Sequence, residues 1–346
     1  MSGVSRSSGI EGVTADQPVL EVRDLTAGYH TLDGFVRAVD QVSVSVSRGR
    51  SLGVVGESGS GKTTLALTLM RLLPTNGRQA SGSVLLQGSD ISKLTDEEFR
   101  RQVRWTSIAM IFQSAMNSLN PVMRIDAQLA EIYRLHRPNA SKADAAHRIR
   151  ELSELVGLPA NRMKSYPHEF SGGMRQRAII AMSLLCDPEL VIADEATTAL
   201  DVVVQQQILV ELRRLRDELG LALVVISHDM GVIAEICDDV AVMYAGQVVE
   251  HGPVHEVFGS PSHPYSAALS AAIPKLSGPR RRLVSLSGAP PDLSAQHTAC
   301  TFADRCFMAE DVCHREDPPL LQVGNQRSKC HFAGDARIQA LAAGES

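Results

Sequence analysis

The sequence predicts an α/β fold, and three observations carry that reading. Apolar runs of strand length recur: Leu52 to Val55, Ile108 to Phe112, Leu190 to Ala193 and Leu221 to Ile226. Segments of helical length and apolar periodicity alternate with them, such as Thr64 to Met70 and the face Val204, Ile208, Leu212, Leu215 and Leu219. Between the first strand and the first helix stands Gly56-Glu57-Ser58-Gly59-Ser60-Gly61-Lys62-Thr63, which fits the phosphate-loop pattern G-x-x-x-x-G-K-[ST] in its required setting. Its glycines let the backbone wrap a phosphate chain, with N–H groups and a helix N-terminus turned to the anion. Lys62 would reach the β- and γ-phosphates and Thr63 would hold Mg²⁺. A chance Gly-rich turn would require neither the strand before it nor the helix after it.

Composition bounds the rest. At 346 residues the chain can bury a full α/β core with one or two small appendages. Hydrophobic residues at 44% and charged residues at 21% are those of an ordinary soluble globular protein. A net charge of −5 gives no reason to expect nucleic acid as a partner. No apolar run reaches the length of a membrane span and the N-terminus shows no signal-peptide core. A cytosolic chain is therefore expected, with any membrane role exerted through partners.

In order along the chain, residues 1 to about 17, rich in Ser and Gly, read as a disordered tail. Leu20 to Leu25 and Val36 to Val46 alternate as strands, and Tyr29 sits between them. Tyr29 is either a core or edge tyrosine or a platform for an adenine ring; the phosphate loop favours the platform. Gly82 to Gly88 is a further strand, and Thr95-Asp96-Glu97-Glu98 is a capping box that opens a helix. Ile108 to Phe112 ends at Gln113, ordinarily a solvated position, but beside a phosphate loop suited to sensing Mg²⁺ and the γ-phosphate. Residues from about 125 to 165 read as helical and polar-rich, a subdomain inserted into the sheet domain at about 120–188. Ser171-Gly172-Gly173-Met174 then leads into the apolar helix Ala178 to Leu185; a Ser cap before bared N–H groups makes a second anion site, or a plain capped helix.

Leu190 to Ala193 runs into Asp194-Glu195. With a phosphate loop present, Asp194 is the expected Mg²⁺ partner and Glu195 stands where it can polarise a water for in-line attack. Asp201 follows, then the amphipathic helix named above. Leu221 to Ile226 closes at Ser227-His228-Asp229, at the end of the sheet where such folds bind ligands, so His228 is read as a phosphate contact. Val240 to Tyr244 and Gln247 to Glu250 form a hairpin through Ala245-Gly246. Gly278 to Arg282 reads as a linker, and residues after about 334 as a loose tail.

Taken together, Tyr29, the phosphate loop, Gln113, Ser171-Gly172-Gly173, Asp194-Glu195, Asp201 and His228 resemble, in that order, the motifs of an ABC transporter ATPase subunit. The resemblance covers residues 20 to about 255. It implies a P-loop NTPase core of ABC type with an antiparallel β subdomain and an inserted α-helical subdomain, over residues 18–260. It implies ATP bound by Tyr29, Gly56, Glu57, Ser58, Gly59, Ser60, Gly61, Lys62, Thr63 and Thr64, and Mg²⁺ held by Thr63, Gln113 and Asp194. It implies Glu195, His228 and Gln113 as catalytic groups. Ser171, Gly172, Gly173 and Asp201 would serve the nucleotide of a second ATPase subunit. Phe170 stands for the commoner Leu before this signature, and Thr198 for the commoner Ser.

Two further stretches are similar to the oligopeptide/dipeptide importer branch, which also handles nickel complexes: Met116-Asn117-Ser118-Leu119-Asn120-Pro121, though Ser114-Ala115 departs from the usual Asp-Pro, and a tail with Ser262-His263-Pro264-Tyr265 and Gly288-Ala289-Pro290-Pro291. That branch implies two transmembrane permease subunits, an extracytoplasmic solute-binding protein, a second and different ATPase, and a place on the cytoplasmic face of the membrane. Peptide import is the expectation; nickel or another small solute is the alternative.

Cys300, Cys306, Cys313 and Cys330 cluster in a small lobe expected at 261–333, spaced C-x5-C, C-x6-C and C-x16-C. Zinc knuckles are absent from this pattern, and four thiolates at wider spacing suit an iron–sulfur cluster. Some members of the resembled branch carry [4Fe–4S] here. A soluble ABC ATPase with a redox-sensing cluster is the remaining reading; one copy of each motif without a long coiled-coil insertion weighs against a soluble ATPase, and the intact Glu195 and His228 weigh against a redox sensor with vestigial ATPase activity.

Overall fold

The computed structural model describes residues 17–32, 34–112, 118–196, 201–271, 288–295 and 297–343. Among the described residues, twelve strands fall in two sheets. The smaller is antiparallel, in the order β2-β1-β4-β5, from β1 (Pro18–Thr31), β2 (Gly34–Ser47), β4 (Gly77–Leu86) and β5 (Ser89–Asp90). The larger has the order β11-β12-β10-β9-β3-β8-β7-β6. Its members are β3 (Ser51–Val55), β6 (Ile108–Ile111), β7 (Leu190–Asp194), β8 (Ala222–Ile226), β9 (Asp239–Tyr244), β10 (Gln247–Pro253), β11 (Leu320–Val323) and β12 (Gln326–Lys329).

The five strands from β9 to β6 are parallel and buried on both faces, which is why they read as unbroken apolar runs. Alternate residues serve different cores. Leu190 and Ile192 of β7, with Val224 and Ile226 of β8, face the antiparallel sheet. Val191, Leu223 and Val225 face the helical side. Helix α1 (Lys62–Leu69) lies in the first core, where Leu65, Ala66 and Leu69 are buried, and so does Phe99 of α2 (Asp96–Gln102). Helices α3 (Ile125–His136), α4 (Lys142–Leu155), α5 (Gly172–Ser183), α6 (Val202–Leu219) and α7 (Met230–Ile236) contribute to the second core.

The Thr95 capping box forms as read: Thr95 Oγ1 accepts from Glu98 N at 3.3 Å and Glu98 Oε2 accepts from Thr95 N at 2.8 Å. The β9–β10 hairpin also forms, turning at Ala245 and Gly246 with φ of 49° and 81°.

Three readings change. Tyr29 lies within β1, opposite Val36 of β2, rather than between strands; β1 bulges repeatedly, which hid its length. The segment from 261 is no separate appendage, because β12 pairs with β10 and, with β11, extends the main sheet. The stretch read as a loose tail carries helix α10 (Ala336–Ala343), whose Ile338 and Leu341 bury against Ala267 and Ala268 of α9 (Pro264–Ala271).

A short helix α8 (Val254–Gly259) leads from β10 toward α9. Glu250 of β10 is fully buried and fixes the start of α9: its carboxylate accepts from Ser262 N at 2.6 Å and His263 N at 3.2 Å. Burial pushes this carboxyl up to about 7. Burial likewise pushes the His263 imidazole down to about 3, so it stays neutral, and its Nδ1 accepts from Tyr265 N at 3.0 Å.

Candidate nucleotide site

The carboxyl ends of three neighbouring strands come level here. Val54 of β3 and Asp194 of β7 both pair with Ile226 of β8. The phosphate loop leaves β3, Asp194-Glu195 leaves β7 and His228 leaves β8, so sheet register alone gathers them. Two loop positions admit only glycine. At Gly56 (φ 151°) a Cβ would lie 2.1 Å from Met243 O, and at Gly61 (φ 102°) 2.0 Å from Ala38 O.

Gly61 caps α1, whose first residues are Lys62, Thr63 and Thr64. Lys62 Nζ donates to Gly56 O and Glu57 O, each at 2.8 Å, and so curls the loop around its ammonium. Burial lowers the Lys62 pKa, offset by Glu195, Asp194 and Glu57. Amides of Ser58, Gly59, Ser60 and Gly61 belong to this cradle by position, and Ser60 N closes a turn on Glu57 O at 3.2 Å.

Thr63 Oγ1 donates to Asp194 Oδ1 at 3.4 Å. A hydroxyl and a carboxylate are the hard oxygen donors that Mg²⁺ takes together with substrate phosphates, so the pair fits that ion. Burial pushes the Asp194 carboxyl up to about 6, lowered in part by Thr63. Glu195 holds a φ of 47°, with its N–H donating to Ile226 O at 2.9 Å. That left-handed turn carries its side chain away from the strand line, where Glu195 Oε1 lies 3.1 Å from His228 Nδ1. His228 thus meets the carboxylate beside the loop. Tyr29 is half-buried, its hydroxyl 3.0 Å from Thr64 Oγ1, which puts the ring beside the head of α1.

The residues of the second predicted anion site gather at a different place. Ser171 Oγ accepts from Met174 N at 3.3 Å and caps α5; Asp201 Oδ1 accepts from Val204 N at 3.0 Å and caps α6. Ser171, Gly172, Gly173 and Asp201 line one recess with Arg177 and Gln207, and no phosphate-loop residue lines it. Gln113 and Thr198 lie outside the described residues.

The four cysteines do not form the expected metal centre as they stand. Among the described residues no group of three or more His, Cys, Asp or Glu side chains is placed to hold a metal ion. The lobe is held by other means: Phe302 packs edge-on against Tyr244 and Tyr265 at 5.2 and 5.4 Å between ring centroids, and β12 closes on β10. Burial pushes the Cys306 thiol up to about 11 and the Cys330 thiol up to about 12, and raises that of Cys300.

Sequence reasoning missed two residues that touch the phosphate loop. The Tyr265 hydroxyl accepts from Glu57 N at 2.9 Å. Arg305 donates to both Glu57 carboxylate oxygens, at 2.7 and 2.9 Å. With aromatic residues at only 4% of the chain, Tyr265 carried a usable signal; nothing in the sequence singles out Arg305.

Family comparisons agree with this geometry. The ABC transporter family model matches residues 39–198. A model of the C-terminal region of oligopeptide/dipeptide transporters matches residues 249–313. The oligopeptide transport ATP-binding protein OppD of Salmonella typhimurium is 47% identical over 323 residues, covering 92% of this chain and 95% of that protein. The dipeptide transport ATP-binding protein DppD of Lactococcus lactis subsp. cremoris is 44% identical, covering 92% and 90%. Among solved structures, cbiO1 from Clostridium perfringens, part of the ABC transporter complex cbiONQ, superposes with a TM-score of 0.61 at 25% identity, covering 71% of this chain and 92% of that one.

Proposed function

This chain belongs to the ATP-hydrolysing subunits of oligopeptide/dipeptide ABC transporters, and from that premise we propose how its residues work and what they drive. Two ATPase subunits, this chain and a different one, sandwich two ATP molecules head to tail. The observation that carries this is the separation of the two anion sites: the Ser171 recess contains no phosphate-loop residue, so each half needs its complement from another subunit.

At the phosphate loop, the loop amides and Lys62 bind the β- and γ-phosphates, and Tyr29 stacks on the adenine. Mg²⁺, when bound by Thr63 and Asp194, neutralises phosphate charge. Glu195 accepts a hydrogen bond from the attacking water and takes its proton as the water oxygen bonds to the γ-phosphorus and the bond from that phosphorus to the β–γ bridging oxygen breaks, with ADP as the leaving group. His228 fixes the Glu195 carboxylate and meets the γ-phosphate on the other side of its ring. Gln113 links this site to the permease. A groove on the helical subdomain, lined by Met123, Arg124, Ala127, Ile149, Met163 and Tyr166, is where we place a permease segment.

No helix among the described residues is long and apolar enough to cross a membrane. On the proposed reading, attachment at the cytoplasmic face runs through two permease subunits, fed by an extracytoplasmic solute-binding protein. The solute is a peptide. Reconstitution in vesicles tests this: ATPase activity should rise with a peptide-loaded binding protein, whereas a rise with nickel complexes alone would move the assignment to that solute.

We further infer that Cys300, Cys306, Cys313 and Cys330 ligate a [4Fe–4S] cluster with a structural role. What supports it is four thiols in one lobe at spacings wider than zinc knuckles, with Cys300 N donating to Cys313 O at 3.0 Å. Anaerobic purification should give about four irons per chain; metal-free or zinc-bearing protein refutes the inference.

A further inference from the structure

The hydrolytic reading leaves unused the contact that reaches the phosphate loop from farthest away in sequence. Arg305 Nη1 donates to Glu57 Oε2 at 2.7 Å and Nη2 to Oε1 at 2.9 Å, the parallel fork of a guanidinium on a carboxylate. The Arg305 side chain is only 4% exposed. Its Nη1 also donates to the Tyr244 hydroxyl at 3.2 Å, and its guanidinium carbon lies 5.5 Å from the centroid of that ring. The Glu57 N–H is held as well, by the buried Tyr265 hydroxyl at 2.9 Å. Glu57 O in turn accepts from Lys62 Nζ at 2.8 Å. One loop residue is thus pinned at its amide, its carbonyl and its carboxylate. Two of the three pins come from the C-terminal part of the chain.

Glu57 is an awkward residue in a loop built to receive phosphate. Its carboxylate adds a negative charge one position from the first glycine, and Coulomb repulsion with a polyphosphate weakens binding unless that charge is matched. Lys62 cannot match it without giving up its place toward the phosphates. Arg305 matches it from outside the cradle, and its fork fixes orientation as well as charge, which a lysine does not. Because Arg305 stands between Phe302 and Cys306, the packing of Phe302 on Tyr244 and Tyr265 sets where the guanidinium lies.

We propose that Arg305 is a positioning residue for ATP: through Glu57 it neutralises and holds the phosphate loop, and so makes nucleotide affinity depend on the cysteine-bearing lobe. The proposal rests on the reading of the loop as the ATP site. A purely structural ion pair would fasten the lobe to the core without affecting ATP.

The test is the ATP dependence of hydrolysis by the assembled transporter. Its unaltered form serves as control for the loop itself, so that only differences between variants report on Arg305. Arg305→Gln should raise KM for ATP about tenfold while kcat at saturating ATP changes less than about twofold. Arg305→Lys, which restores charge without the fork, should fall between. Adding Glu57→Gln to Arg305→Gln should recover part of the affinity, because no uncompensated carboxylate is left facing the phosphates. An unchanged KM in Arg305→Gln, or a loss confined to kcat or to thermal stability, overturns the proposal. Should Arg305→Gln fail to assemble, Arg305→Lys and the double variant decide it: a KM equal to that of the unaltered complex in both overturns it equally.

Discussion

The phosphate-loop end of the sheet and the recess at the head of α5 both lie where a helix begins, but they use their polar side chains differently. In the recess those side chains serve helix ends: Ser171 caps α5, Asp201 caps α6 and Arg177 Nη1 of α5 donates to Val156 O at the end of α4 at 2.7 Å. At the loop, Lys62, Asp194, Glu195 and His228 converge from three strand ends and engage one another. On the head-to-tail arrangement proposed above, the recess would complement an anion that the loop binds and acts on, and a subunit with one of each would be half of two sites.

The largest effect should come from the chemistry on the loop side. Glu195→Gln is expected to cut kcat of the assembled transporter by at least about 100-fold, while ATP binding stays within about twofold. Steady-state hydrolysis and equilibrium ATP binding measure the two numbers separately, and turnover near that of the unaltered complex would erase the contrast. On the recess side, Ser171→Ala should lower turnover about tenfold only when both subunits are present, with ATP affinity of the isolated chain unaltered. The lost cap should also cost about 1 kcal/mol in thermal unfolding. If the isolated chain loses ATP affinity, the two sites are not divided as described.

A smaller effect is expected from pH. The Asp194 carboxyl is raised by burial from 3.8 to about 6. The folded chain therefore binds a proton more tightly than the unfolded one, and the carboxylate form costs stability as pH rises through that window. Mg²⁺ needs the carboxylate, so protons compete with it below about pH 6. Apparent Mg²⁺ affinity should be level above pH 7 and fall severalfold by about pH 5.5. A Mg²⁺ titration at fixed ATP from pH 5 to 8 checks this, and a flat profile would assign the ion to other donors.

The loop side was legible because its constraints are local: eight consecutive residues, one strand before and one helix after. Asp194, Glu195 and His228 were legible because each ends an apolar run, and parallel register does the rest. The pairing of β12 with β10 was not legible. The inward residues of β12 are Gln326 and Ser328, so it has no hydrophobic alternation to detect. Helix α10 shows only Ile338 and Leu341 among alanines, Arg337 and Gln339. Glu250 reads as a surface residue by type, and its burial depends on the Ser262 and His263 amides that receive it. Arg305 and Glu57 are 248 positions apart, and no local pattern links them.

The closing of the sheet by β12 also bears on synthesis. While the chain grows, β10 has its partner β9 at once, across a two-residue turn, but its other edge has no mate until residues 326–329 leave the ribosome. Until then the nascent sheet shows an open ladder to proteases and to neighbouring nascent chains. When β12 arrives, the edge passes to β11, four residues long, and a short edge strand is a poor template for further pairing. A chain broken off before that point would keep its intact phosphate loop and yet present the sticky border by which cellular quality control recognises unfinished work.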